Sequence, residues 1–407
     1  MTTNGPTAPT APAGMAAAAS AHVPYAHPAM SPADRELLLT SVRQVATDPE
    51  QKFILGRRCA ALERALRDRT GAGDVIACGS GTGALSLALR AARIGPGDEV
   101  IVPAFGAEPL AACVLGVGAT PVFADVHPDS GLLDPADAER RVTARSRAIV
   151  PAHVFSSMAD MPAVCELAAR HRLEVVEDAA VAQGATLRGR PAGTWGDLGL
   201  YSFYPVKPFG MAGEGAIVLS DDTELARATR MLRNHGQDGV NRFLHHEIGL
   251  NSRFDEIHAA FQLARLPALD ELLARRRAVA DYYSERFAPL RDRGLAAPEP
   301  GADGRCLYVY AVYTPHRDAL ARHLAAHGVG SRVYHPSPLP RLAAFAPART
   351  GDGPAAAPWP GADRAAARHL ALPLHPHLSP AQTRQVADAV CGFFGLDGPD
   401  GPDGPDS

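Results

Sequence analysis

Seven short apolar runs punctuate the chain between residues 75 and 219: Val75–Cys78, Glu99–Pro103, Pro121–Asp125, Ala148–His153, Leu173–Glu177, Leu200–Phe203 and Ala216–Leu219. Runs this short and this apolar offer water no polar face, so they read as strands buried on both sides. Between them, Ala84–Arg93 and Ala163–Arg170 carry apolar residues at helical spacing. Strands alternating with helices specify an α/β domain with a mostly parallel central sheet, because parallel neighbours need a crossover long enough to contain a helix. In such sheets ligands bind at the C-terminal ends of the strands.

From about Leu266 the texture changes. An Arg-rich helix at Asp270–Phe287 precedes a strand at Leu307–Tyr313, a helix at Arg317–Gly328 and a last helix at Pro380–Phe394, with a Pro- and Ala-rich loop at Pro347–Pro360. This reads as a smaller α+β domain, and 407 residues suffice for two domains. The expected division is a disordered segment over 1–30, a large domain over 31–265, a small C-terminal domain over 266–396 and a disordered acidic tail over 397–407. The first segment has too few large apolar residues to order itself. The tail repeats Gly-Pro-Asp too few times for a collagen helix.

Charge and composition remove several classes of function. A net charge of −4 gives no electrostatic reason to bind nucleic acid or an anionic membrane. No apolar run approaches the ~20 residues that span a bilayer. Met1–Pro28 lacks the basic start of a secretory signal, so a cytoplasmic protein is expected. The six cysteines are scattered without a C-x-x-C pair, which argues against a disulfide framework or a structural zinc. His375 and His377 lie two apart with no carboxylate or cysteine to complete a metal site, so they read as structural. Arg275-Arg276-Arg277 reads as a solvated or salt-bridged helix face.

Three elements carry chemistry. Lys207 follows the run Leu200–Phe203 and sits among glycines that let a ligand approach. Asp178 closes the run Leu173–Glu177, at a strand end where ligands bind. Gly79-Ser80-Gly81-Thr82-Gly83 lies between a strand and a helix, where free N–H groups and hydroxyls cradle an anion such as phosphate. A lysine, a carboxylate and a phosphate cradle are what a pyridoxal 5′-phosphate enzyme requires. The lysine holds the cofactor as a Schiff base, and the carboxylate keeps the pyridine nitrogen protonated so that the ring withdraws electrons.

With these residues in place the chain resembles the DegT/DnrJ/EryC1/StrS family of sugar aminotransferases, over about Phe53 to Phe394. The likeness includes Phe53-Ile54-Leu55-Gly56, Ser80-Gly81-Thr82, the segment Ile94–Pro103 and Glu177-Asp178-Ala179-Ala180. It continues through Ser202-Phe203, Lys207, Gly213-Glu214-Gly215, Arg233-Asn234-His235-Gly236, Gly249–Arg253 and Leu372–Pro376. The resemblance implies a fold-type I pyridoxal-dependent transferase, like aspartate aminotransferase, with Lys207 and Asp178 as catalytic residues. It implies that Ser80, Gly81, Thr82 and Ser202 bind the cofactor phosphate. Asn251 would reach the phosphate of the neighbouring subunit, in a homodimer that shares its active sites. Arg253, in the same segment, could equally form a structural salt bridge. The implied reaction moves an amine from glutamate or glutamine to a keto-sugar, nucleotide-linked, in a biosynthetic pathway.

Two positions depart from the family pattern. Ala107 stands where an aromatic residue stacks on the cofactor ring. Val181 stands where Gln, His or Glu approaches the cofactor's phenolic oxygen, and cannot hydrogen-bond. Gln183, two residues on, could face the same way and substitute for it. The departures leave open drift, a larger pocket for a bulkier or non-sugar ketone, another pyridoxal reaction such as elimination or dehydration, or a weakly catalytic regulatory homologue. Lys207 argues against the family's 3-dehydratases, which carry histidine there. Ala107, His235, Tyr334 and His335 are the candidate substrate contacts, with Asn234 beside His235 in a pocket loop or interface.

Overall fold

The computed structural model describes residues 22–26, 30–241, 243–345 and 358–396. Its centre is a seven-stranded sheet of β1 (Asp74–Cys78), β2 (Glu99–Pro103), β3 (Thr120–Ala124), β4 (Ser146–Ile149), β5 (Glu174–Asp178), β8 (Leu198–Ser202) and β9 (Ala216–Ser220). The short strands β6 (Thr186–Leu187) and β7 (Arg190–Pro191) form a separate hairpin. The sheet order is β1-β9-β8-β5-β4-β2-β3. Only β9 runs against its neighbours, pairing antiparallel with β1 and with β8. The expected mostly parallel α/β sheet is therefore present.

Alternate residues along each strand enter opposite cores, as a pleat requires. Ile76, Val100, Val102, Val176 and Leu200 pack toward α3 (Gly81–Ala91), α4 (Pro109–Gly116) and α7 (Thr223–Leu232). Val75, Ala77, Ile101, Val175 and Tyr201 pack toward α2 (Arg57–Thr70), α6 (Met161–His171) and α8 (Glu256–Arg265). That parity puts Asp178 and Ser202, the last residues of adjacent parallel strands, on the α3 side. The run expected as a strand through His153 leaves the ladder after Ile149. Pro151 has no N–H to give, and the chain rejoins β5 only through an isolated bridge from Ala152 to Asp178.

Beyond the sheet, α9 (Leu269–Phe287) leads to β10 (Tyr310–Tyr313), α10 (Arg317–Ala326), α11 (Pro360–Arg368), β11 (His369–Leu372) and α12 (Pro380–Phe393). β10 and β11 pair antiparallel, α10 packs on α12, and α12 packs on α9. α5 (Pro135–Arg140) lies against α6, and α1 (Pro32–Ala46) against α8. The expectation of disorder up to residue 30 fails for residues 22–26. Val23 is fully buried, donates its N–H to Gly328 O and accepts from Gly330 N, both at 2.9 Å. Residues 1–21 and 27–29, most of the expected Pro/Ala loop and the Gly-Pro-Asp tail lie outside the described residues.

One long-range contact sets the start of α2. Its N-cap is Gly56, which has no side chain to accept a hydrogen bond. The carboxylate of Glu256, 1% exposed on α8, takes that role, accepting from Arg58 N (3.0 Å) and Cys59 N (2.8 Å). Replacing Glu256 with Ala strands two helix-end donors, one of them at a buried residue. The expected cost is about 3 kcal/mol, from ~1–3 kcal/mol for each buried unmade bond, read from urea unfolding. A loss below about 1 kcal/mol would show that water or repacking satisfies both amides.

Candidate active site

β5 ends in two acids, and the pleat sends them opposite ways. Glu177 is fully buried and saturated. It accepts from Gly193 N (2.6 Å), Trp195 N (2.8 Å) and His153 Nε2 (2.8 Å). The His153 tautomer follows, because its Nδ1 accepts from Ala159 N. Asp178 accepts one bond, from Ala180 N to Oδ1 at 3.0 Å, and its second oxygen has no partner among the described residues. Burial raises the pKa of the Asp178 carboxyl, opposed by the Ala180 N–H, Lys207 and His153.

Lys207 sits just past β8 in two successive turns, with Lys207 N bonded to Tyr204 O and Gly210 N to Lys207 O, each 2.9 Å. The loop closes only because residue 210 is glycine, since a Cβ there would overlap the carbonyl of Pro205. The chain contains two lysines, and the other, Lys52, is exposed. Burial lowers the Lys207 amine to about 8, with Asp178 pulling the other way. At neutral pH such an amine is protonated most of the time and neutral for a useful fraction.

Across from them is the start of α3. The Ser80 hydroxyl caps this helix by accepting from Gly83 N at 3.0 Å. The N–H groups of Gly81 and Thr82 have no partner among the described residues and point out of a helix N-terminus, the geometry that binds anions. The Ser202 hydroxyl, which accepts from Tyr204 N at 3.2 Å, lies opposite. A Cβ on Gly81 would come within 3.2 Å of Ser202 Oγ, so the two residues close one cradle. Ser252 holds the turn from behind, with its carbonyl and Oγ taking Gly79 N at 3.1 and 3.2 Å. Ser252 lies in the quoted segment Gly249–Arg253, but the expectations gave it no role at the site.

Tyr334 and His335 adjoin this site. Both donate backbone N–H groups to His369 Nε2 (3.1 and 3.3 Å), while His369 Nδ1 donates to Ala365 O. His335 stacks on Phe155 (5.6 Å) and meets the edge of Phe105 (5.5 Å). Burial, with His369 and Lys207 adding to it, lowers its pKa to about 4, so it is a neutral imidazole. Tyr308, also missed, packs between Tyr334 and the Lys207 amine. It belongs to a run that reads only as a buried strand.

Other expected residues lie elsewhere. Ala107 is partly buried where α4 begins, and its neighbour Phe105 is consumed by the core, so no aromatic ring replaces the one missing at 107. Val181 is buried among apolar residues. Gln183 does not share its direction. Turns bonded from Ala182 N to Ala179 O and from Ala185 N to Ala182 O break the extended geometry that a shared face needs. Instead Gln183 Nε2 donates to Ser202 O (2.5 Å), and the residue lines a cavity of about 290 Å³ with Leu66, Thr70, Tyr201 and Phe209, on the α2 side. The expectation that it substitutes for Val181 is corrected accordingly.

His235 and Asn251 are exposed on a loop anchored by buried Arg233, which donates to Glu63 (2.6 Å) and to Ala77 O (2.5 Å). Asn234 bridges Asn251, and Arg253 Nε donates to Asn251 Oδ1 (3.0 Å) rather than to a carboxylate. Among the described residues no cluster of His, Cys, Asp or Glu could hold a metal ion. No described helix is long and apolar enough to cross a membrane.

The site has the donor set for a phosphorylated carbonyl cofactor: a half-buried amine, and, among the described residues, a carboxylate oxygen and two helix N-terminal N–H groups without partners. Comparison with known proteins agrees. The model of the DegT/DnrJ/EryC1/StrS aminotransferase family matches residues 33–391. A UDP-N-acetyl-3-dehydro-α-D-glucosamine 3-aminotransferase of Acidithiobacillus ferrooxidans is 39% identical over 357 residues, 88% of this chain and 93% of that protein. A dTDP-3-amino-3,4,6-trideoxy-α-D-glucose transaminase of Streptomyces venezuelae is 39% identical over 83% of this chain and 88% of its own length. The crystal structure of S. venezuelae DesV with a ketimine intermediate superposes with a TM-score of 0.84 at 36% identity, covering 92% of this chain and 99% of that one.

Proposed function

Because the chain belongs to the DegT/DnrJ/EryC1/StrS aminotransferase family, a pyridoxal-phosphate-dependent family, we propose that it aminates a nucleotide-linked keto-sugar in a biosynthetic pathway, taking the amine from glutamate or glutamine. The observation that carries this reading is the half-buried Lys207 amine on the same sheet edge as the half-satisfied Asp178 carboxylate and the open N-terminus of α3. The relatives named as nucleotide-sugar 3-aminotransferases support the sugar class. We read residues 31–265 as the cofactor-binding domain and 266–396 as the smaller one.

Each residue has a task. Bound in this site, pyridoxal 5′-phosphate supplies an electron-withdrawing ring that stabilises negative charge at the carbon bearing the amine. The Gly81 and Thr82 N–H groups and the Ser80 and Ser202 side of the cradle hold its phosphate. The free oxygen of Asp178 keeps a proton on the ring nitrogen. Lys207 would anchor the cofactor and, as a free amine, take the proton from the substrate carbon and deliver it to the cofactor's carbonyl-derived carbon. With a pKa near 8 the amine is close enough to neutral pH to do both. His335, neutral and without a side-chain hydrogen bond among the described residues, faces the acceptor with Tyr334.

The site is completed by a second copy of the chain. Val240, Phe243 and Ile248, on the loop that carries His235 and Asn251, are 83%, 87% and 87% exposed, an apolar surface suited to burial against a partner. Asn251, oriented by Arg253, then reaches the partner's phosphate cradle.

Adding excess glutamate or glutamine to the pyridoxal form should convert it stoichiometrically to the pyridoxamine form, with loss of visible absorbance. A 3-keto nucleotide-sugar should then restore the colour. Conversion by neither donor would overturn the transaminase reading. Mixing inactive Lys207→Ala and Asn251→Ala chains should restore about a quarter of the sites through heterodimers of two-fold symmetry. No recovery despite proven subunit exchange would refute the shared site.

A further inference from the structure

The Lys207 side chain ends against a group that has no part in the scheme above. Its Nζ lies 4.2 Å from the centre of the Tyr308 ring, on the face where the ring quadrupole attracts a cation. The ring is held on both sides. Arg276, buried on α9, donates through Nη1 to the carbonyls of Leu307 and Tyr308 (3.2 Å each) and Leu374 (2.6 Å), tying the Tyr308 backbone to the long helix. Tyr334 packs against the ring at 5.9 Å, and Tyr25, from the ordered segment 22–26, packs against Tyr334 at 6.0 Å. Tyr308 is 7% exposed.

We propose that the Tyr308 ring is the seat of the Lys207 amine whenever that amine is not bonded to the cofactor, and that Tyr308 is a positioning residue for proton transfer. It keeps Nζ in one place and favours its protonated form. The inference rests on the reading of Lys207 as the cofactor-bearing lysine. Three groups face the amine: Asp178 from the end of β5, neutral His335 from the segment before α11, and the Tyr308 ring from the run into β10. Burial removes the proton, and Asp178 favours it. When the cofactor is in place, however, the Asp178 charge is committed to the ring nitrogen. Tyr308 is then the group left to favour the ammonium.

A ring face is suited to that task. A second carboxylate would bind the ammonium through directional hydrogen bonds and trap it. The ring attracts the cation without such bonds, so Nζ is free to swing back to the substrate carbon.

The test uses full-length protein loaded with pyridoxamine 5′-phosphate, in which Lys207 is a free amine. Pulse acetylation with acetic anhydride across a pH series, read by peptide mass spectrometry, gives the titration midpoint of Lys207. Lys52, the one other lysine, reports reagent reactivity in the same sample. Wild type and Tyr308→Phe should share a midpoint, because both keep the ring. In Tyr308→Leu and Tyr308→Met the midpoint should fall by about half to one pH unit. Two apolar variants guard against one of them failing to fold.

The proposal is overturned if both apolar variants titrate within about 0.2 unit of wild type. It is also overturned if Tyr308→Phe falls as far as Tyr308→Leu, since the hydroxyl and not the ring face would then be responsible. Attachment of the cofactor to another residue would refute the reading of Lys207 but leave a ring-dependent midpoint intact. A midpoint that ignores the ring would refute the role of Tyr308 and leave attachment at Lys207 intact.

Discussion

A half-buried amine and a half-buried carboxylate at the ends of adjacent strands set the terms for the rest of this molecule. Burial alone would neutralise both, lowering the Lys207 amine and raising the Asp178 carboxyl. Each charge favours the charged form of the other, so the fold must bring the two side chains to the same end of the sheet. The sheet order does this by setting β5 directly beside β8, in parallel, so that the two chain ends emerge on one edge. The strand pleat then separates two adjacent acids. Glu177 turns into the core and is saturated by Gly193, Trp195 and His153, while Asp178 turns toward the site with an oxygen to spare.

The parts legible in the sequence were those governed by local rules. Apolar runs marked all seven strands of the main sheet, and glycine, serine and threonine marked the cradle before α3. A lysine after a strand end and an acid at another pointed to the chemistry. What escaped depends on partners far along the chain. Val23 is ordered because it pairs beside Val329, and nothing in an Ala- and Pro-rich segment announces that. The N-terminus of α2 is satisfied by Glu256, from the other side of the large sheet domain in sequence. Gln183 departs from the expected direction because the chain after β5 turns, and a turn breaks the two-residue periodicity of faces. Tyr308 looked like one more strand residue because its partner is an amine brought up by a different element.

The departures from the family pattern acquire a physical setting. Phe105 cannot cover for Ala107, since its ring is fixed among Phe155, His335 and His369. Val181 joins an apolar core that offers no donor in its place. Neither residue gains a substitute from its neighbours, while the amine, the carboxylate and the anion cradle lie together at one end of the sheet. Tyr25, Tyr334, Tyr308 and Phe155 form a continuous aromatic wall leading to Lys207.

The central claim is that Lys207 is the cofactor's point of attachment. Sodium borohydride reduction of the purified yellow protein, followed by digestion and peptide mass spectrometry, addresses it directly, because the chain offers two lysines to distinguish. The account predicts a reduced phosphopyridoxyl group on the peptide containing Lys207 and none on Lys52. An adduct on Lys52, or no adduct on a protein that carries the cofactor, would contradict it.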